Sequence, residues 1–377
     1  MGAFHAYDIR GIYNVDFDKD VAYKVGYFLP ELLSADKVLV GRDARVSSPE
    51  IHDYLLKGIT DAGVDVYDAG LCTTPMVYFG TAFYGFKASV QITASHNPAE
   101  YNGLKVSREN ALPVGYDNGL GQIKEWIESG RECPVAEKKG QVHTIDVRKD
   151  YLPFLLKYKG DWSGLNIAMD VSNGMASLFV RDIFGDQPTY IYEEMDGRFP
   201  NHEPNPLVQA NVEDLKKLVA QTKADIGIIF DGDADRVMFV DENSRFISPD
   251  LMIAVLGHYF LEERGEKGYV HQDIRSSKAV GEYLAPMGGV MNTWRVGRAY
   301  AALKLRELDG VFGGELAGHY YFRDFYYSDS GLLAAILITN VVAKMKAQGV
   351  SLSQMIAKIE KYQNSGEINF RLEDKIG

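Results

Sequence analysis

The chain has 377 residues, 46% hydrophobic and 24% charged, which excludes a disordered or collagenous chain and leaves length for several buried cores. Lys and Arg total 40 against 52 Asp and Glu, a formal charge of −12, so neither nucleic-acid binding nor membrane-surface binding is expected. Two cysteines, Cys72 and Cys133, exclude a disulfide framework and fit a reducing, cytoplasmic setting.

Short apolar runs alternate with longer amphipathic ones. The first round predicts a strand at Lys37–Val40, a helix over Pro49–Ala62, a strand at Val64–Tyr67, a helix near Met76–Phe83 and a strand at Ala88–Thr93. A second round predicts strand Asn166–Asp170, helix Met175–Phe184, strand Thr189–Tyr192, helix Val212–Gln221 and strand Asp225–Phe230. A third runs through Pro249–Glu262, Tyr269–His271, Ser276–Leu284, Val290–Trp294, Tyr300–Leu308 and Val311–Phe312, and closes with a long helix, Gly331–Ala347.

This alternation implies mixed, mainly parallel sheets covered by helices. The fold class is therefore α/β, with three similar units. Boundaries at the polar stretch Glu132–Asp146 and the turn Asp241–Ser248 give units 1–142, 143–245 and 246–362. Residues 363–377 add a strand at Ile368–Leu372, too little for a domain and reading as the start of something missing. The longest apolar run, Leu332–Val342, is too short to cross a bilayer. No signal-peptide pattern is present, and Ala6 breaks the myristoylation pattern.

Each unit carries one unusual loop just after a strand, where open α/β sheets bind ligands. The first, Thr93-Ala94-Ser95-His96-Asn97-Pro98, offers an exposed serine on a stiff turn beside a proton carrier, His96; alone it also reads as a polar turn. Lys105 starts the next strand.

The second loop, Asp231-Gly232-Asp233-Ala234-Asp235-Arg236, joins two apolar strands. Residues two apart in an extended chain point the same way, so Asp231, Asp233 and Asp235 converge and call for a hard cation, with Mg²⁺ the best match. Arg236 at position 6, where an EF-hand requires glycine, argues against a calcium loop, and a solvated acidic turn is the remaining alternative. The third loop, Gly313-Gly314-Glu315-Leu316-Ala317-Gly318-His319, supplies a carboxylate that can read hydroxyls and a titratable imidazole. Arg10, Arg42, Arg236, Arg275, Arg295 and Arg298 could add phosphate-binding forks. Together the loops describe phosphoryl transfer on a polyhydroxy substrate.

These motifs resemble those of the α-D-phosphohexomutases, specifically the bacterial phosphomannomutase/phosphoglucomutase branch. The likeness covers Ala6–Gly11, Val40–Asp43, Thr93–Pro98, Asn102-Gly103, Phe199–His202, Asp231–Arg236, Gly313–His319 and Ser365–Phe370. It implies that Ser95 is a phosphoserine that donates and regains a phosphoryl group. Asp231, Asp233 and Asp235 would hold one Mg²⁺ with an oxygen on Ser95. His96, Lys105, Arg236 and His319 would be catalytic, and Tyr7, Arg10, Arg275, Arg295, Arg298 and Glu315 would bind substrate.

The implied reaction interconverts hexose 1- and 6-phosphates, of mannose and/or glucose, with a hexose 1,6-bisphosphate as intermediate and activator. The implied protein is a monomer or weak dimer. A sibling mutase for glucosamine or pentose phosphate, and a non-catalytic sugar-phosphate binder, are the alternatives. Ala317 stands where the family usually has serine. Arg298 stands where close relatives often have histidine, and Arg275 and Arg295 where other members have lysine. The resemblance implies a fourth, α+β, phosphate-binding domain after the third; residues 363–377 would be a short stub of it, holding only its first strand, so a raised KM and slower turnover are expected.

Overall fold

The computed structural model describes residues 2–363. The strand expected at Ile368–Leu372 and the matching run from Ser365 lie outside the described residues.

Three sheets form the frame. In the first, Ala88–Ile92, Lys37–Arg42, Asp65–Leu71 and Val142–Thr144 run parallel. Tyr101–Arg108 then pairs antiparallel with Ala88–Ile92, and Ile9–Ile12 antiparallel with Tyr101–Arg108. The second sheet has Thr189–Ile191, Ile167–Asp170 and Ile226–Phe230 parallel, then Val237–Asp241 and Phe246–Ile247 antiparallel. The third has Gly289–Trp294, Gly268–Asp273 and Phe312–Gly314 parallel, then Tyr320–Phe322 and Ser328–Asp329 antiparallel.

One device recurs in all three. A parallel strand turns back into an antiparallel partner, with registers Ile92↔Leu104, Phe230↔Val237 and Gly314↔Tyr320. The three loops of interest are the turns of these hairpins.

The strand Ile226–Phe230 is buried along its whole length, as its unbroken apolar run requires. Helix Gly331–Ala347 is buried from Gly331 to Val342 except at Asn340, so its apolar run is a core helix among the units. Ser330 caps it by accepting from the Leu333 amide at 3.1 Å. Among the described residues no single helix is long and apolar enough to cross a membrane.

Two predicted helices differ in detail. Met175–Phe184 is a 3₁₀ turn, Met175–Leu178, followed by a short helix, Val180–Phe184, and the Met175 amide is drawn instead to the Gly232 carbonyl at 2.9 Å. Pro249–Glu262 is α-helical to Gly257 and widens to a π turn over His258–Glu263. Helix Lys19–Leu33 was hidden in the sequence by Gly26 and Pro30, both helix breakers. Gly26 is there for packing: a Cβ would fall 2.3 Å from the Leu55 carbonyl oxygen, where helix Ser48–Asp61 crosses.

Candidate active site

Ser95 sits in left-handed backbone, φ +54°, at the tip of the first hairpin, with its amide held by Thr93 Oγ1 at 2.9 Å. Beneath the loop lies a buried guanidinium. Arg45 donates to the carbonyl oxygens of Ser95 (2.9 Å), Asn97 (2.7 Å), Pro98 (2.6 Å) and Tyr101 (3.0 Å), and Asp43 braces it at 3.2 Å. These bonds offset the cost of a strained, polar turn at depth. Sequence reasoning picked Arg42 from the Gly41–Arg45 run; Arg42 does not line the cavity described below, and Arg45 is the residue that shapes the loop.

The expectation of an exposed Ser95 is corrected: the residue is 1% exposed. The second loop packs on it so closely that a Cβ on Gly232 would fall 2.5 Å from the Ser95 carbonyl oxygen. Ser95 Oγ donates to Asp231 Oδ2 at 3.1 Å, and His96 Nδ1 lies 3.4 Å from the same Oγ.

Asp231, Asp233 and Asp235 do converge, each offering an oxygen within 4.8 Å of the others. The route differs from the one inferred. The loop is a turn with Ala234 left-handed at φ +62°, so curvature, not strand alternation, gathers the carboxylates. Two helix N-termini hold its backbone. Thr74 at the start of helix Thr74–Phe83 donates its amide to Asp233 O (3.0 Å) and its hydroxyl to Asp233 Oδ2 (2.5 Å). Gly331 donates its amide to Ala234 O at 3.1 Å.

Lys105 Nζ bridges Asp233 Oδ2 (2.7 Å) and Asp235 Oδ2 (2.5 Å). Burial works against the Lys105 charge, but the two aspartates outweigh it and raise its pKa. Burial, then the charges of Asp235 and Asp233, push Asp231 well above the carboxylate range. Burial raises Asp235 too, but the Lys105 charge beside it brings it below its ordinary value. The opposite oxygens, Asp233 Oδ1 and Asp235 Oδ1, are buried without a hydrogen-bond partner among the described residues. Hard oxygen donors, unsatisfied and converging, fit Mg²⁺.

The third hairpin closes on the second. Val237 N donates to Gly318 O at 3.2 Å. Arg236 Nε donates to His319 Nε2 at 2.9 Å, and His319 Nδ1 meets Asp329 Oδ2 at 2.6 Å. A guanidinium only donates, so Nε2 carries the lone pair and Nδ1 the proton. Glu315 is buried, accepts from the Gly297 amide at 2.8 Å, and is raised in pKa by that burial. Burial lowers His96 well below its ordinary value, and the cations Arg236, Arg10 and Lys105 lower it further, so it is neutral.

A cavity of about 470 Å³ opens between these loops. Its wall includes Ser95, His96, Lys105, Asp235, Arg236, Glu315 and His319, with Tyr7, Arg10, Arg275 and Arg298 around them. Arg10 donates to Asn97 Oδ1 at 2.9 Å and pairs with Asp8. Tyr7 is 43% exposed, donates to Val296 O at 3.3 Å and meets Tyr300 edge-on at 5.9 Å. Arg275 bonds Asp273 at 2.8 Å. Arg295 does not line the cavity; it is exposed, its guanidinium 5.3 Å from the Tyr300 ring centre. The sequence reading missed Arg45, Thr74 and Asp329. For Thr74 a signal existed: Thr73-Thr74-Pro75 is a helix start, with Thr73 as the cap.

Family models for phosphoglucomutase/phosphomannomutase α/β/α domains I, II and III match residues 1–132, 149–244 and 248–362. A protein of Xanthomonas campestris described as "Phosphohexose mutases" is 35% identical over 380 residues, covering 99% of this chain and 84% of the relative. The chain belongs to the phosphoglucomutase/phosphomannomutase family. It is also 35% identical over 388 residues to a phosphomannomutase of Vibrio cholerae, covering 99% of this chain and 83% of that one. A solved structure of a phosphoglucomutase/phosphomannomutase family protein from Burkholderia thailandensis superposes with a TM-score of 0.85 at 29% identity, covering 95% of this chain and 79% of the other. As a phosphohexomutase-type isomerase, the chain acts on hexose phosphates, and the cavity above is where its family motifs meet.

Proposed function

We propose that this phosphohexomutase interconverts the 1- and 6-phosphates of mannose and/or glucose through a phosphorylated Ser95 and a 1,6-bisphosphate. The observation that carries the reading is that Ser95 Oγ meets Asp231 at 3.1 Å while Ser95 itself lines one cavity with Asp235, Glu315 and His319. A nucleophile, a cation site and a hydroxyl reader there share a space of hexose-phosphate size.

In the first transfer the Oγ–P bond of phosphorylated Ser95 breaks, the Lys105 ammonium in the same cavity gives a proton to the leaving Oγ, and a P–O bond forms to a free sugar hydroxyl. The hydroxyl proton passes to His319 Nε2, where the hydroxyl takes the place now held by Arg236. The bisphosphate then turns over in the cavity. In the second transfer the other sugar P–O bond breaks, the Ser95 hydroxyl returns its proton to Lys105 as Oγ–P reforms, and His319 returns its proton to the sugar oxygen. Lys105, Arg10 and Arg236 present cations to the phosphoryl oxygens, and neutral His96 donates a hydrogen bond without adding charge.

Asp231, Asp233 and Asp235, with Ser95, are the residues that would hold Mg²⁺, which when bound offsets the charge of about −1.5 to −2 on the phosphoserine. Glu315, already fixed by Gly297, accepts from sugar hydroxyls. Ala317 beside it has no hydroxyl to add, so the sugar is read by fewer groups, which suits two binding orientations. Free hexose 1,6-bisphosphate would reload Ser95 and act as activator. The low cysteine count supports a cytoplasmic setting.

The test is phosphorus NMR of mannose 1-phosphate with the protein, Mg²⁺ and a trace of hexose 1,6-bisphosphate. A growing 6-phosphate resonance is expected. A folded sample that converts neither mannose nor glucose 1-phosphate would overturn the reading.

A further inference from the structure

Arg298 lines the cavity, yet its guanidinium is already engaged. Nε donates to Asp329 Oδ1 at 3.1 Å, and Nη2 donates to the Ala111 carbonyl at 2.9 Å. The guanidinium carbon lies 3.6 Å from the centre of the Tyr78 ring, a close stack. Tyr78 and Ala111 belong to the first α/β unit, while Arg298 and Asp329 belong to the third.

Asp329 divides its two oxygens. Oδ1 takes Arg298 and Oδ2 takes His319 Nδ1 at 2.6 Å. The carboxylate is fully buried, so no solvent competes for either oxygen. Held only by His319, the carboxylate could turn about its terminal torsion, which is soft and roughly two-fold. The second bond fixes that plane, and with it the imidazole ring and the nitrogen that carries the proton. The far nitrogen, Nε2, faces Arg236 from the second unit. One chain of contacts therefore runs Tyr78/Ala111, Arg298, Asp329, His319, Arg236, across all three units.

We propose, on the footing of the mutase reading above, that Arg298 is a positioning residue: it acts through Asp329 to fix the ring and tautomer of His319, and it is not a phosphate-binding fork. A phosphate fork keeps donors free for its ligand, whereas this one spends two on the protein and its face on Tyr78.

The same helix, Arg298–Glu307, offers a control. Arg306 also reaches the first unit, donating to Asn110 O at 3.2 Å, and donates to Tyr326 O of its own unit at 2.8 Å, but it does not line the cavity and has no bond to Asp329. Arg298→Met, Arg298→Lys, Asp329→Asn and Arg306→Met are made in the full chain, and each is checked for wild-type melting behaviour.

With mannose 1-phosphate, Arg298→Met should lower kcat by about 10²-fold, the cost of a reacting group held out of place. KM should stay within about threefold. Arg298→Lys should recover little, because an ammonium cannot serve Asp329, Ala111 and Tyr78 at once. Adding Asp329→Asn to Arg298→Met should cost little more, since both act on one ring. Arg306→Met should be near wild type.

A second readout does not depend on the enzyme's turnover. Proton–nitrogen spectra of protein labelled at histidine nitrogens should show His319 as a single neutral tautomer with the proton on Nδ1. In Arg298→Met that single form should give way to a mixture, and in Arg306→Met it should persist. A raised KM with kcat intact in Arg298→Met would overturn the proposal and make Arg298 a phosphate ligand. An unchanged His319 signal in Arg298→Met, or an equal change in Arg306→Met, would overturn it as well. If the wild-type chain converts no hexose phosphate, the mutase reading fails, and the spectra still decide whether Arg298 sets His319.

Discussion

The two sides of the cavity are built differently. On the side of Ser95 and the three aspartates almost everything is buried, and the backbone itself is pinned by Arg45, by the Thr74 amide and by the Gly331 amide. On the side of Tyr7, Arg275 and Arg295 the groups are half-buried or exposed, and they lean on one another through Tyr300 and Asp273. Where charge moves, groups must be in place before the substrate arrives, because reorganising dipoles during the reaction raises the barrier. In the proposed cycle a sugar phosphate is accepted in two orientations, and there a softer wall is an advantage. The difference predicts that substitutions on the first side change kcat and those on the second change KM.

The largest effect should come from Ser95. Ser95→Ala removes the oxygen that bonds Asp231, and turnover should fall by about 10⁴-fold or more, measured by coupled assay or phosphorus NMR. Turnover above a tenth of wild type would end the phosphoserine mechanism and the idea that this side is the chemical one.

Next comes the aspartate loop. Asp231→Asn should reduce turnover by about 10²–10³-fold, of the size seen when one pre-aligned electrostatic group is lost. Because burial and its neighbours raise the Asp231 pKa, a cation binding there must displace a proton. Mg²⁺ affinity should therefore strengthen as pH rises, and calorimetry in two buffers of different ionisation heat should show proton release. Binding that ignores pH would mean that Asp231 already carries its charge without the metal.

The sequence was most readable where one residue type serves one purpose. Three aspartates in six residues announce a cation site whatever the backbone does, and the long helix Gly331–Ala347 followed from its apolar run alone. It was least readable where a residue acts at a distance along the chain. Thr74 meets Asp233 across 159 positions, and Arg45 reaches Ser95 across 50. Thr74 carries only the local mark of a helix start, and nothing near Arg45 sets it apart from a solvated arginine. Arg298 shows the same limit: its residue type suggested a phosphate ligand, and only its partners show where its donors go. Ser95 looked exposed because the strand–turn pattern describes its own unit, not the second loop that covers it.

A smaller, pH-dependent effect separates the two sides again. His271 is buried on the strand that leads to Asp273 and Arg275. Burial pushes its pKa down to about 4, against weaker support from Asn292 and Asp273. In the unfolded chain it titrates near ~6.5. Above that value it is neutral in both states and costs nothing. Between about 6.5 and 4 the unfolded chain takes a proton that the folded chain refuses, so stability falls as pH falls, by up to about 3 kcal/mol. Below about 4 this contribution levels off. Urea unfolding from pH 7.5 to 4 should show a shallower decline for His271→Gln than for wild type. Parallel declines would free His271 from the effect and leave acid sensitivity to the carboxylates.

The smallest expected effect tests the softer wall directly. Tyr7→Phe keeps the edge contact with Tyr300 and removes only the hydroxyl that donates to Val296 O at 3.3 Å. A long hydrogen bond at a half-exposed site is worth about 0.5–1 kcal/mol, or roughly a two- to fivefold change in affinity. That change should appear in KM for the hexose phosphate, with kcat within about twofold, because the hydroxyl bonds backbone at the rim and not the groups around Ser95. Tyr7→Ala should add the loss of the ring and raise KM further, still at near-constant kcat. A tenfold fall in kcat at unchanged KM would place Tyr7 with the chemistry, and the division between a rigid reacting side and an adaptable binding side would not hold.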